Sequence, residues 1–320
     1  MRRCRALGDM HLLMRTPDKT TRPSLVRRAL LLAACSAPFG GALSSAFADE
    51  RSTAGRLASI TPQLARLEHE SGGRLGIAVI DTAKDVHAGY RSNERFAICS
   101  TFKTVLCSAV LKRHERETGL LDQRIRYSQA DLVSYSPISS KHVDDGMTVS
   151  ELCAAALQYS DNSAANALIR LIGGPPAVTA FARSIGDKTF RLDRTETSLN
   201  TAIPGDPRDT STPAAMVSTL RRVTLGHALA PESQKQLIDW MRGNTTGAKR
   251  IRASVPAEWE VADKTGTGDY GTTNDLGIVW PAQGRVPVVL GVYYTQADKD
   301  APARDDVIAS ATRIVIEAIQ

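Results

Sequence analysis

Apolar positions recur at helical spacing over residues 53–70, where Leu57, Ile60, Leu64 and Leu67 mark one face. The pattern then changes. "RLGIAVID" and "DVHAGY" carry the β-branched and aromatic content of strands, with a turn between them at Thr82–Lys84. From Ser100 to about Trp240 the periodicity is mainly helical. Phe102, Val105, Leu106, Ala109 and Val110 form an i, i+3, i+4, i+7, i+8 stripe, which predicts a helix beginning near Ser100. "TVSELCAAALQ" opens with a capping box, Thr148 to Glu151, and "NSAANALIRLIGGPP" stops on Gly-Gly-Pro. A stretch rich in turn formers, 194–209, interrupts the helices. Strands return after residue 255 in "WEVADKTG", "NDLGIVW" and "RVPVVLGVYYTQ", the last pair joined through "PAQGR". A helix, "RDDVIASATRIVIEAI", closes the chain.

Strands at both chain ends with helices between them predict an α+β fold. Its centre is a five-stranded, mostly antiparallel sheet, flanked by N- and C-terminal helices in an α/β sandwich. Residues 49–98 and 243–320 are expected to form a discontinuous α/β domain. Residues 99–242, including the loop 194–209, are expected to form an inserted all-helical domain. A cleft between two such regions is a common small-molecule site.

The 320 residues, 42% hydrophobic and 23% charged, are ordinary for a globular protein. The formal charge of +6 would suggest a polyanionic partner, but its location removes that reading. The first 48 residues hold eight of the 40 basic and two of the 34 acidic side chains, leaving 32 of each beyond. That leader resembles an export signal. Arg27-Arg28 precedes an apolar stretch, "AFA" at 46–48 is a small-x-small cleavage site, and the pair of arginines is compatible with twin-arginine export. "LAAC" at 32–35 would alternatively lipidate Cys35. The expected location is periplasmic. Six scattered histidines and three remaining cysteines, Cys99, Cys107 and Cys153, show no metal-ligand spacing, so neither a metal nor a cofactor is expected. Nothing implies a nucleic-acid or protein partner, and a monomer is the default.

Candidate chemistry starts at "AICSTFKTVL". Ser100 and Lys103 lie on one face of the predicted helix, one turn apart, so the lysine nitrogen can reach the serine oxygen. A hydroxyl is a poor nucleophile until a neighbour takes its proton, and a lysine of lowered pKa can do so. Ser is also a favoured N-cap, so S-x-x-K alone is equally an ordinary helix start. Two further elements decide between these readings. Ser160, Asp161 and Asn162 follow 60 residues on, and Lys264, Thr265 and Gly266 stand 104 residues beyond Ser160. S-x-x-K, S-D-N and K-T-G in this order are the combination of class A β-lactamases and penicillin-binding proteins.

From about residue 53 onward the chain resembles a class A serine β-lactamase of the Pen/CTX-M-like branch. "RTETSLN" supplies Glu196 and Asn200, matching the family's E-x-x-x-N, which separates lactamases from penicillin-binding peptidases. The resemblance implies the serine β-lactamase fold and hydrolysis of penicillins and cephalosporins through an acyl-serine intermediate. It gives catalytic roles to Ser100, Lys103, Ser160, Glu196 and Lys264. Substrate contacts fall to Asn162, Asn200, Tyr135, Thr265, Gly266 and Thr267, while Asp161 is structural. Backbone N–H groups of Ser100 and Thr267 would form the oxyanion hole. It further implies an ion pair, Arg194 with Asp209, closing the Ω loop, and a cis peptide after Glu196.

Three departures matter. The arginine that many relatives place beside K-T-G is Thr273 here, and Arg250 matches an alternative source of that guanidinium. Gly268 rules out the disulfide that one branch makes with the cysteine preceding the nucleophile, so Cys99 is expected as a core thiol. Cys107 and Cys153 match a disulfide of other branches. The alternatives to hydrolysis are a D-Ala-D-Ala peptidase, against which Glu196 and Asn200 argue, and a β-lactam sensor, which should carry a transmembrane or DNA-binding segment.

Overall fold

In the computed structural model, residues 55–282 and 284–320 are described; the leader, with Cys35 and the expected cleavage site, lies outside them. Helix α1 (Ile60–Ser71) buries Ile60 and Leu64 and ends at Gly72, whose φ of 72° is a left-handed value that favours glycine. Strands β1 (Arg74–Asp81) and β2 (Val86–Tyr90) form the first hairpin. The chain rejoins the sheet with β3 (Glu260–Gly268), β4 (Thr272–Trp280) and β5 (Val288–Thr295). The order across the sheet is β2-β1-β5-β4-β3, with every neighbour antiparallel. The five-stranded sheet drawn from both chain ends is therefore present. Its register places Lys264 opposite Leu276, and Thr267 opposite Thr273, on the edge strand β3.

Side chains alternate across a strand, and here both faces are covered. On one face Leu75, Ile77, Val79, Leu290 and Val292 pack with α1 and the C-terminal helix, Asp305–Ile319. On the other, Ala78, Ile80, Ala262, Leu276, Ile278 and Val289 meet the helical region. That region contains α2 (Phe102–His114), α3 (Val149–Gln158), α4 (Asn162–Ile172), α5 (Pro175–Ser184), α6 (Pro213–Thr224) and α7 (Pro231–Arg242). The predicted capping box starts α3: Glu151 N–H donates to Thr148 Oγ1 at 3.1 Å, and Thr148 N–H to Glu151 Oε2 at 2.7 Å.

Helix α2 departs from its sequence pattern. One apolar stripe predicts one buried face, but every residue from Phe102 to Leu111 is buried. Two of its polar positions are satisfied, while Thr104 Oγ1 is buried without a partner among the described residues. Ser108 Oγ donates to the Thr104 carbonyl at 2.7 Å, and the Lys103 ammonium is paired. A central helix of this kind holds its first turn still from all sides.

The disulfide implied for Cys107 and Cys153 is absent. Both are buried thiols, as is Cys99. Cys107 Sγ faces the Cys153 carbonyl oxygen at 3.9 Å, a weak S–H donor contact, and burial pushes the Cys153 thiol up.

Candidate active site

Four segments deliver the expected residues to one place. Ser100 lies in a 3₁₀ turn, Cys99–Thr101, that runs directly into α2, and Cys99 adopts φ 42° to make the entry. Lys103 follows one turn on. Ser160, at φ 57°, occupies the bend between α3 and α4. Glu196 and Asn200 come from the Ω loop, and Lys264 from β3.

Ser100 and Lys103 meet at a single carboxylate oxygen. Ser100 Oγ donates to Glu196 Oε1 at 3.2 Å, and Lys103 Nζ lies 3.0 Å from the same atom. The Lys103 and Glu196 side chains are wholly buried. Lys103 also donates to the Ser160 carbonyl at 2.8 Å and Asn162 Oδ1 at 2.7 Å, with Ser160 Oγ at 3.4 Å. A charge withdrawn from water to this extent is tolerable only when paired and hydrogen-bonded. Each donor direction of the ammonium is met.

On the far side of Ser160, Lys264 Nζ donates to Ser160 Oγ at 3.0 Å and to the Thr265 carbonyl at 2.8 Å. Burial lowers the Lys264 pKa to about 7, helped by the Lys103 charge and opposed by Asp263 and Asp275. These aspartates share the desolvation: burial pushes Asp275 well above the ordinary carboxylate range, and Asp263 up.

Strand β3 approaches the nucleophile's turn closely, which explains the glycine of K-T-G. A Cβ on Gly266 would lie 2.9 Å from the Ile98 carbonyl oxygen and 3.3 Å from Cys99 Cβ. Thr265 Oγ1 meets Thr246 Oγ1 at 2.5 Å, and Thr267 is exposed at the strand end. Arg250, which matches an alternative source of the carboxylate-binding guanidinium, is buried. It bonds Asp305 Oδ1 at 2.7 Å, the Gly266 and Asn274 carbonyls at 2.8 Å each, and Thr267 Oγ1 at 2.8 Å. Thr273 is buried, donating to the Gly271 carbonyl and accepting from Arg304 N–H. Tyr135 is 59% exposed, which excludes a core role; its carbonyl accepts from Asn162 N–H at 3.0 Å. Asn162 is itself engaged at both ends, its amide donating to the Ser134 carbonyl at 2.9 Å.

Asp161 is structural as expected. It caps α4 through Ala164 N–H and accepts from Ile138 N–H, Ser139 N–H and Ser139 Oγ at 2.7–2.9 Å. The loop is tied at its ends by Arg194 Nε to Asp209 Oδ2 at 2.5 Å, and the Glu196-Thr197 peptide is cis.

This geometry has counterparts. The model of the β-lactamase enzyme family matches residues 59–319. β-Lactamase CTX-M-8 of Citrobacter amalonaticus is 56% identical over 258 residues, 81% of this chain and 88% of its own. β-Lactamase OXY-1 of Klebsiella oxytoca is 51% identical over 293 residues, 92% and 98% of the two chains. A β-lactamase crystal structure from Desulfarculus baarsii superposes with a TM-score of 0.81 at 53% identity, covering 82% of this chain and 97% of that one. A variant of the class A β-lactamase of the last common ancestor of Gram-negative bacteria gives 0.78 at 58%, with 80% and 97% covered. The chain belongs to the β-lactamase enzyme family.

Within this class A β-lactamase one residue of the site escaped the sequence reading. Asn166, on α4, clamps the backbone of the catalytic-site glutamate: Glu196 N–H donates to Asn166 Oδ1 at 2.9 Å, and Asn166 Nδ2 donates to the Glu196 carbonyl at 2.8 Å. The available signal was a polar residue on the buried face of "NSAANALIRLI", where an unpaired amide would be costly. Together with Asn200 Nδ2, 2.5 Å from Glu196 Oε2, it fixes both ends of the residue. Asn166→Ala is expected to cost about 2–4 kcal/mol in urea unfolding, since it strands two buried groups, and to raise amide hydrogen exchange across 194–209. Unchanged exchange in that loop would contradict the clamp.

Proposed function

We propose that the protein hydrolyses the β-lactam ring of penicillins and cephalosporins as a class A serine β-lactamase, in the periplasm and as a monomer. The observation that carries this reading is the shared contact of Ser100 Oγ and Lys103 Nζ with Glu196 Oε1, with Asn200 on the other carboxylate oxygen.

With its hydrogens committed to Ser160 O, Asn162 Oδ1 and Glu196 Oε1, the Lys103 ammonium has no lone pair to offer. In this arrangement the serine proton passes to Glu196 as Ser100 Oγ bonds to the lactam carbonyl carbon. Lys103 lowers the energy of the anion that results. As the C–N bond breaks, the ring nitrogen needs a proton. Ser160 Oγ can give one, because the Lys264 ammonium donates to it and leaves its own hydrogen free to point at the substrate. The substrate carboxylate then meets Lys264, Thr265 and Thr267. Arg250 supports this contact indirectly: by donating to Thr267 Oγ1 it turns that hydroxyl's hydrogen outward. The oxyanion is assigned to the N–H groups of Ser100 and Thr267, the latter on an edge strand whose outer row lacks a strand partner.

Deacylation uses the same carboxylate. Asn200 Oδ1 is buried without a protein partner, and with Glu196 it offers two adjoining acceptors to a single water. The proton that Glu196 took from Ser100 first passes through Lys103 to Ser160 Oγ, replacing the one given to the ring nitrogen and restoring the carboxylate. Glu196 then takes a proton from that water as the water oxygen bonds to the acyl carbon; the Ser100 ester bond breaks and the serine oxygen regains its hydrogen from Glu196.

The leader motif supports the location, and among the described residues no helix is long and apolar enough to cross a membrane.

Glu196→Ala is expected to lower nitrocefin turnover by about 10²–10⁴-fold and to leave a long-lived penicilloyl adduct in intact-mass spectra; undiminished turnover would remove Glu196 from the mechanism. The Lys264 ammonium exists below its pKa of about 7 and is lost as pH rises through it, so attraction for an anionic substrate should weaken on the alkaline side. Lys264→Arg, which stays protonated beyond pH 12, should move that limb of the kcat/KM profile upward. A profile identical in both proteins would show that another group titrates.

A further inference from the structure

The Ω loop has two sides. One carries Glu196 and Asn200 to the catalytic site. The other, residues 202–208, walls a separate cavity of about 650 Å³ against the start of β1 and the end of β5. That size falls within the range of small-molecule sites, about 300–1,000 Å³. Ser100, Lys103, Ser160, Glu196 and Lys264 do not line it.

The charge of the wall is one-sided. Arg74, Arg95, Arg194 and Arg208 line it with one carboxylate, Asp206. Three of the guanidiniums have carboxylate partners: Arg74 with Glu94 at 3.2 Å, Arg194 with Asp209 at 2.5 Å, and Arg208 with Asp206 at 2.7 Å. Arg95 is different. It is exposed, and among the described residues its donors reach only the neutral acceptors Thr210 Oγ1 at 2.9 Å, the Thr210 carbonyl at 3.4 Å and the Thr189 carbonyl at 3.0 Å. These bonds hold the guanidinium in place without neutralising it, which prepares it for an external carboxylate. Arg74 adds a second cation alongside, its Nη2 donating to the Arg95 carbonyl at 2.7 Å. Between the cations the wall is apolar. Ile203 is 45% exposed, a large aliphatic left in water beside Pro204 and Pro207.

We propose that this cavity binds a small amphipathic organic anion, its carboxylate on Arg95 and its apolar ring against Ile203 and the two prolines. The mixed wall selects for both parts. An inorganic anion would leave Ile203 uncovered, and a neutral aromatic would leave Arg95 unanswered.

The probe is 2-naphthoate, titrated into ¹⁵N-labelled protein. Saturable shifts are expected at the amides of Arg95 and residues 202–208, without matching shifts at Ser160 and Thr267. The uncharged analogue 2-naphthamide should bind at least tenfold more weakly. Arg95→Gln should weaken naphthoate by a similar factor. Ile203→Glu breaks no hydrogen bond and adds a repelling charge, so it should do the same even if Arg95→Gln fails to fold. Neither position belongs to the catalytic machinery, and nitrocefin hydrolysis should persist in folded variants. Absence of saturable shifts, shifts confined to the catalytic site, or equal affinity in Ile203→Glu would overturn the proposal. Nitrocefin turnover by the parent protein is scored separately, so a failure of the hydrolase reading would not be mistaken for a failure here.

Discussion

The structure of the site depends on one buried ion pair, Lys103 with Glu196 at 3.0 Å, neither side chain reaching solvent. Removing two charges from water is costly, and their attraction offsets the cost only if geometry and further hydrogen bonds are good. Each partner is therefore braced by a different part of the fold. Lys103 rides on a helix buried on all sides and is met by the Ser160 carbonyl and Asn162. Glu196 comes from a loop, an element with little rigidity of its own, and is fixed by Asn166 at its backbone and Asn200 at its carboxylate. Arg194 and Asp209 close the loop behind it. Ser100 becomes a participant because its oxygen lies on the atom the pair shares.

A second cation 3.0 Å from Ser160 Oγ gives the site its electrostatic asymmetry. Lys103 faces a carboxylate directly, while Lys264 faces a carbonyl and a hydroxyl and is pushed toward neutrality by burial and by Lys103. Asp263 and Asp275 oppose that shift, but Asp275 is itself driven toward its neutral form. One lysine is thus paired directly with an acid, and the other is poised to respond to an incoming anion.

Much of this was legible in the sequence because the chemistry sits at element boundaries, where spacing translates directly into geometry. S-x-x-K lies on the first turn of a helix, S-D-N at a helix start whose cap is Asp161, and K-T-G on a strand that must pass close to another backbone. The five strands and the Thr148 capping box were readable from local composition. Less was legible where partners come from distant segments. Asn166 is one more polar residue on a helix until Glu196, 30 positions on, is folded onto it. The full burial of α2 was hidden because Thr104 and Ser108 look like a solvent face, and the Ser108 hydroxyl is satisfied by a carbonyl of the helix itself. The contacts of Arg250 were not legible because nothing local announces Asp305 and two distant carbonyls. The Cys107 and Cys153 pairing rested on resemblance, and side-chain orientation decides that state.

All of this serves one step, the passage of an acyl group onto a serine oxygen and off again. Rapid-quench peptide mass spectrometry of the unmodified protein with benzylpenicillin tests it most directly. The expected result is penicilloyl mass on the peptide containing Ser100 within the first turnover, disappearing as substrate is exhausted. Hydrolysed product released with no adduct on Ser100 at any quench time would contradict the account.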